Sequence, residues 1–183
     1  MRAPELVGSV IPSSRFLERR LVQIAAIPRA RVVVEFGPGT GGTTRAILDA
    51  MAPTAKLLAI EIDPHFAGML KAHGDPRLIV HHGSAEHIRE ALAQHGLAAP
   101  DAVLSGIPFS TMPLALGQRI INAVWESLAP GGRFVAYQFR DRVATLGRQL
   151  LGDPEVAVEI FNAPPVRIYH WRKGMNGVQK DAV

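Results

Sequence analysis

Short apolar runs recur along the chain, separated by stretches whose apolar residues repeat at helical spacing. Runs of this length rich in Val, Ile, Leu and Phe read as strands, and the intervening stretches as helices. The pattern predicts strands over 31–36, 55–61, 77–82, 102–105 and 133–139. It predicts helices over 43–51, 64–73 (opening at Pro64), 85–95, 113–129 and 141–151, the fourth stopped by Pro130-Gly131-Gly132. Repeated strand–helix units make a parallel α/β sheet. The last two apolar runs, 155–161 and 166–171, flank Asn162-Ala163-Pro164-Pro165 with no helix between them, so they should be antiparallel neighbours. There are no internal repeats and no low-complexity segments.

Residues 12–27 also read as a helix, with Ser13 or Ser14 as its cap. Phe16, Leu17, Leu21 and Ile24 fall on one side at helical spacing, and Arg15, Arg19 and Arg20 lie on or beside the other. A basic amphipathic helix has two fates. It lies in a membrane interface with its arginine stems reaching to phosphates, or it packs on the sheet and covers what binds there. Residues 1–29 therefore form a basic N-terminal segment of a single domain spanning 1–173, with 174–183 as a loose tail.

A chain of 183 residues is one domain by default, and 48% hydrophobic residues suffice for a core. No apolar run reaches the length of a membrane span, and the start lacks a basic-then-apolar signal. With no cysteine there are no disulfides and no thiol chemistry, and a cytoplasmic location is the simplest expectation. The net charge of +4 is unevenly spread. Residues 1–31 hold six arginines against two acids, 32–132 six basic residues against nine acids, and 133–183 eight against five. A sheet that brings the two basic ends to one face makes a basic rim, whose partner would be a nucleic acid or an anionic membrane surface.

The candidate chemistry begins where the first strand runs into Glu35-Phe36-Gly37-Pro38-Gly39-Thr40-Gly41-Gly42. Glycines there allow close backbone approach, and the following helix presents bare N–H groups to whatever sits over the turn. Gly37, Gly39 and Gly42 satisfy G-x-G-x-x-G, the dinucleotide fingerprint. Glu35, Gly37, Gly39 and Gly41 equally satisfy E-x-G-x-G-x-G, the form seen in S-adenosylmethionine-dependent methyltransferases. Glu61 ends the second strand and suits a ribose diol of either cofactor. Glu35 favours S-adenosylmethionine, because a carboxylate there would repel a pyrophosphate but attract a positive methionine end. The loop after the fourth strand, Ser105-Gly106-Ile107-Pro108-Phe109, should face the reacting atoms, because ligands of open parallel sheets lie over the strands' carboxyl ends. Its backbone carbonyls can accept from an amine, and its aromatic ring can hold a cationic nitrogen. His81 and His82 point to opposite faces of their strand, so no metal site is expected.

These pieces, with Ile60-Glu61-Ile62-Asp63, Pro130-Gly131-Gly132-Arg133-Phe134, Asn162-Ala163-Pro164-Pro165 and the opening Gly8-Ser9-Val10-Ile11-Pro12-Ser13-Ser14, resemble the bacterial phospholipid N-methyltransferases over residues 8–171. The resemblance implies a Rossmann-like seven-stranded sheet of order 3-2-1-4-5-7-6. It implies stepwise methylation of the amine of phosphatidylethanolamine towards phosphatidylcholine, with S-adenosylhomocysteine as the other product. Such an enzyme would sit peripherally on the inner face of the cell membrane, held by the N-terminal helix.

The cofactor would lie over Gly37, Pro38, Gly39, Thr40 and Gly41, beside Glu35, with its ribose on Glu61 and its adenine near Ile62, Ser84 and Ala85. Ser105 borders the cofactor and, with Ile107, the target amine. Tyr137 and His170 are candidates for base or orienter, and Arg140, Arg142 or Arg167 for holding the lipid phosphate. In one place the chain departs from the pattern, with Gly83-Ser84-Ala85 where such enzymes often show Gly-Asp-Ala. The related rRNA adenine dimethylases share the glycine turn. They usually carry Asn at the position of Ser105 and add a helical C-terminal domain, so no nucleic-acid partner is expected. An rRNA adenine dimethyltransferase-like enzyme and a module that binds cofactor or lipid without catalysis are the two alternatives.

Overall fold

A computed structural model describes residues 14–175. Pro12, Ser13, the opening 8–13 and most of the expected tail, 176–183, lie outside the described residues. Helix α1 (Arg15–Ile24) starts at Ser14, whose hydroxyl accepts the Leu17 N–H at 3.2 Å. After a short 3₁₀ turn come strand β1 (Val32–Phe36), helix α2 (Gly42–Ala50), strand β2 (Lys56–Glu61) and helix α3 (Pro64–Lys71). Asp63 caps α3 by accepting the His65 and Phe66 amides, and Pro64 sits where no amide is needed. Strand β3 (Leu78–His82) is followed by a 3₁₀ turn, Ala85–His87, and helix α4 (Ile88–Gln94), so the helix expected over 85–95 is split. Strand β4 (Ala102–Ser105), helix α5 (Leu114–Ser127), strand β5 (Arg133–Gln138) and helix α6 (Arg142–Leu151) continue the alternation. Strands β6 (Glu155–Glu159) and β7 (Val166–Arg172) close it.

The seven strands form one sheet of order β3-β2-β1-β4-β5-β7-β6. The first five are parallel, and β7 is antiparallel to both β5 and β6, as the missing helix between the last two apolar runs predicts. Alternate residues of each strand feed two apolar layers. Phe36, Val103, Phe134 and Trp171 pack with α4, α5 and α6 on one face. Val33, Leu57, Leu104, Val135 and Ile168 pack with α1 and α2 on the other. Direct hydrogen bonds seal two helix ends, Arg133 Nη1 donating to the Ile24 carbonyl at 2.6 Å and Lys173 Nζ to the Leu128 carbonyl at 2.8 Å.

Helix α1 corrects one expectation. Leu17 and Leu21 are fully buried in the sheet-facing layer, but Phe16 is 57% exposed. Phe16 is three and four residues from Arg19 and Arg20, so it shares their outer face rather than the leucine stripe. The apolar stripe of the helix is thus consumed by packing on the sheet.

Candidate active site

The carboxyl ends of the parallel strands form one edge, and the strand order reverses between β1 and β4. Open α/β sheets bind ligands at that crevice. On this edge lie the glycine turn after β1, Glu61 at the end of β2, Ser84 after β3, the 105–109 loop after β4, and Gln138 at the end of β5.

The glycine turn and the β4 loop are in contact. A Cβ on Gly37 would lie 2.8 Å from Ile107 Cγ2, and Gly37 has φ of +65°. Both the backbone angle and the neighbour therefore require glycine. The Gly37 N–H donates to the Ile60 carbonyl at 3.0 Å, and the Gly41 N–H to the Pro38 carbonyl at 2.9 Å, which folds the turn tightly over the strand ends. Thr40 is exposed at its crest and Pro38 is buried beneath it.

Two carboxylates flank the turn. Glu61 Oε2 accepts the Gly39 N–H at 3.1 Å and Oε1 accepts the Asp63 N–H at 2.9 Å, so Glu61 holds the turn's backbone in place. Glu35 is fully buried below α2, where Thr44 Oγ1 donates to its Oε2 at 2.6 Å. Its Oε1 and Ser105 Oγ are the buried side-chain polar atoms without a hydrogen-bond partner among the described residues. Burial, opposed by the Thr44 hydroxyl and helped by the charge of Glu61, pushes the Glu35 carboxyl up to about 7.

On the β3 side, Ile62 leaves an exposed apolar side chain beside Glu61. Ser84 does not turn its hydroxyl outward; it donates to Glu86 Oε1 at 3.3 Å, next to the buried Ala85. Glu86 was not singled out by the sequence. Arg119 Nε donates to its Oε2 at 2.9 Å and holds its carboxyl below the usual range. It therefore places a carboxylate two residues past the position where the expected aspartate is missing. The available signal was its place in Gly83-Ser84-Ala85-Glu86.

The β4 loop brings several corrections. Ser105 sits at the strand end, fully buried, with its free hydroxyl at the edge. The Ile107 carbonyl already accepts two donors, Gln138 Nε2 at 2.6 Å and the Phe109 N–H at 3.1 Å, so the acceptor role expected of it is taken. The Phe109 ring is fully buried in the α4–α6 layer, near Met112 and Gly117. It cannot face a cation at the edge.

Tyr137 is brought to the loop, because an ideal Cβ on Gly106 would lie 2.5 Å from its hydroxyl oxygen. Its hydroxyl is 3.4 Å from Thr43 Oγ1. Burial first, then the charge of Glu35, push its phenol well above its ordinary value. Both causes favour the protonated phenol, which suits an orienter better than a base. His170 is not brought to the site. It pairs with Val135, three residues back from the end of β5, on the α1 face. There it feels Glu155 and Arg133, and burial lowers its pKa. Arg140, Arg142 and Arg167 are exposed, the first two following β5 and the third paired with Gln138. No cluster that could hold a metal ion occurs among the described residues.

These residues fit S-adenosylmethionine. Glu35 Oε1 is a buried carboxyl oxygen with no hydrogen-bond partner among the described residues, and a neighbouring sulfonium or ammonium group would favour its charged form.

The chain is 35% identical over 130 residues to an ornithine lipid N-methyltransferase from Singulisphaera acidiphila, covering 70% of this chain and 68% of that protein. It is 29% identical over 163 residues to ribosomal RNA small subunit methyltransferase A from Cutibacterium acnes, covering 80% of this chain and 51% of that one. It thus spans about half the length of that relative. Among solved structures, the N-methyltransferase NodS from Bradyrhizobium japonicum with bound S-adenosyl-L-homocysteine superposes with a TM-score of 0.68 at 16% identity, covering 92% of this chain and 94% of that one. No family model matches the chain.

Proposed function

The chain belongs to the class I S-adenosylmethionine-dependent methyltransferases, and from that premise we propose that it methylates the amine of a membrane-lipid head group. The observation that carries this reading is the 35% identity to a lipid N-methyltransferase over most of both chains. The head groups proposed are phosphatidylethanolamine, from the sequence resemblance, and the ornithine amine, from that relative's name.

The site supports an alkylamine over a nucleobase. Gly106 has no room for a side chain, since Tyr137 fills the space beside it, and Ser105 presents a small hydroxyl. Nothing in the loop offers the amide or exposed ring that would grip a flat adenine, as Phe109 is buried.

When bound, S-adenosylmethionine supplies an electrophilic methyl group and leaves as S-adenosylhomocysteine. The turn from Gly37 to Gly41 would hold it, with Glu61 and Ile62 on its nucleoside side and Ser84, Ala85 and Glu86 near the adenine. A sulfonium or ammonium group beside Glu35 would favour its charged carboxylate over the protonated form that burial favours. Ser105 Oγ, without a partner among the described residues, accepts an N–H of the target amine and aims its lone pair. Tyr137, held protonated, fixes the loop. An alkylammonium with a pKa of about 10 has no lone pair to offer, and enclosure in a low-dielectric site favours its neutral form. Placement and desolvation therefore carry the rate. Arg140, Arg142 and Arg167, exposed near the carboxyl end of β5, are the proposed partners of a lipid phosphate.

The test is incubation with methyl-labelled S-adenosylmethionine and liposomes carrying phosphatidylethanolamine or ornithine lipid, with bare ribosomal RNA in parallel. Label in either lipid is expected, and chromatography counts the methyl groups. Label only in RNA would overturn the reading.

A further inference from the structure

With the leucine stripe of α1 buried, the apolar surface left at this end of the molecule is elsewhere. Phe16 on α1 meets Phe161 in the turn between β6 and β7, with ring centroids 5.1 Å apart. Phe161 is 67% exposed and Ile160, beside it, 66%. Single exposed apolar residues need no explanation, but three large ones in contact or adjacent do. Their display is not that of a slack loop. The Ser14 N–H donates to Asn162 Oδ1 at 2.9 Å, Asn162 Nδ2 to the Pro164 carbonyl at 3.0 Å, and the Phe161 N–H to Glu159 Oε1 at 2.9 Å. Asn162 is itself buried. The turn is pinned to the start of α1 with its apolar side chains facing solvent.

Charge and position define the partner. Arg15 and Arg19 on α1 and Arg167 on β7 are exposed around the patch, and Arg20 leans to Glu159 at 3.9 Å. Arg167 pairs with Gln138, so the turn that precedes β7 lies at the carboxyl edge, alongside the candidate active site. A second copy of the chain meeting this patch about a two-fold axis would press arginines against arginines. A nucleic acid would leave the apolar tip without a partner. An anionic bilayer satisfies both, with phosphates for the guanidiniums and acyl chains for the tip.

We propose that Phe16, Phe161 and Ile160 form a wedge that docks on an anionic membrane and holds the active-site edge against the lipid surface. This rests on the lipid reading above and relocates the membrane contact from the leucine stripe of α1 to the β6–β7 turn with the arginine face of the helix.

The test uses full-length protein and flotation with vesicles of phosphatidylglycerol and phosphatidylcholine, which contain no acceptor amine. The double variant Ile160→Ser, Phe161→Ser should partition onto vesicles at least tenfold more weakly than wild type. Its far-UV circular dichroism and its calorimetric affinity for S-adenosylmethionine should be unchanged, because neither side chain enters the core or the cofactor edge. Its turnover of a short-chain acceptor lipid dispersed as monomers should also be unchanged, while turnover of vesicle-borne lipid falls. Arg15→Ala with Arg19→Ala should weaken binding at low salt and less at high salt. Equal partitioning of wild type and the serine variant overturns the wedge, as does failure of the wild type to float. A wild-type dimer that the serine variant dissociates would assign the patch to a second copy and overturn it too. Vesicle binding that needs the wedge, with no lipid methylated, would keep the surface and remove the lipid substrate.

Discussion

Tyr137 places its hydroxyl where a side chain at Gly106 would begin, 2.5 Å from the position of an ideal Cβ. The contact joins β5 to the loop that borders the reacting atoms, so the smallest residue in that loop is fixed by the strand next to it. Gly106→Ala should lower the thermal midpoint and methyl transfer together, by an overpacking cost of about 1–3 kcal/mol. Adding Tyr137→Phe removes the closest atom and leaves Cζ at 2.9 Å, so the double variant should regain part of both. An alanine variant as stable and active as wild type would show that the loop is not braced by Tyr137.

Glu61 carries two duties, since its carboxylate ties down the Gly39 and Asp63 amides and is the proposed ribose ligand. Glu61→Ala should abolish binding of S-adenosylmethionine by calorimetry while far-UV circular dichroism stays native. Loss of the two amide contacts should also cost about 1.5–3 kcal/mol of stability by denaturant titration. Unchanged cofactor affinity would remove Glu61 from the site.

Glu35 gives the fold a pH dependence of defined sign. Its carboxyl titrates at about 7 when folded against 4.5 ordinarily, chiefly because of burial. Between those values the folded state holds more protons than the unfolded state, so this group's contribution to stability falls as pH rises from 4.5 to about 7, then levels. The interval corresponds to at most about 3.4 kcal/mol. Glu35→Gln keeps the shape and removes the proton, so the stability difference between pH 5 and pH 8 should be smaller than in wild type. Equal differences in the two proteins would place the titration elsewhere.

Much of this was legible in the sequence, and the reasons for the rest are physical. The apolar runs and their punctuating glycines located all seven strands, and the pair without an intervening helix implied the antiparallel closure. What failed were statements about which way a side chain points. At 100° per residue Phe16 is adjacent to both the leucine stripe and the arginine face, and only packing against the sheet decided between them. Phe109 follows a proline in a loop, where spacing carries no face information, and it turned into the α4–α6 layer. His170 lies on a strand that runs antiparallel to β5. Distance along that strand therefore carries it away from the carboxyl edge, a consequence of register that no motif displays. Ser84 was read by its own chemistry, yet its neighbour Glu86 determines where its hydroxyl points.

Ser105 separates function from stability most cleanly. Its hydroxyl is buried and has no partner among the described residues, so it carries an unmet hydrogen-bonding capacity at the edge where an amine would approach. A buried hydroxyl without a partner is a desolvation cost to the fold, and replacing it by a hydrogen removes that cost at the expense of a cavity smaller than a methyl group. Ser105→Ala should therefore leave stability unchanged or raise it by up to about 1 kcal/mol. If the hydroxyl accepts the target N–H and aims the lone pair, the same variant should lose about tenfold in kcat/KM, the worth of one hydrogen bond of about 1.4 kcal/mol in the transition state. Cofactor affinity should hold, since the turn and Glu61 are untouched. A variant that loses stability instead would mean that the hydroxyl is bonded within the folded protein. One that keeps full activity would mean that the amine is aimed by other groups on the edge.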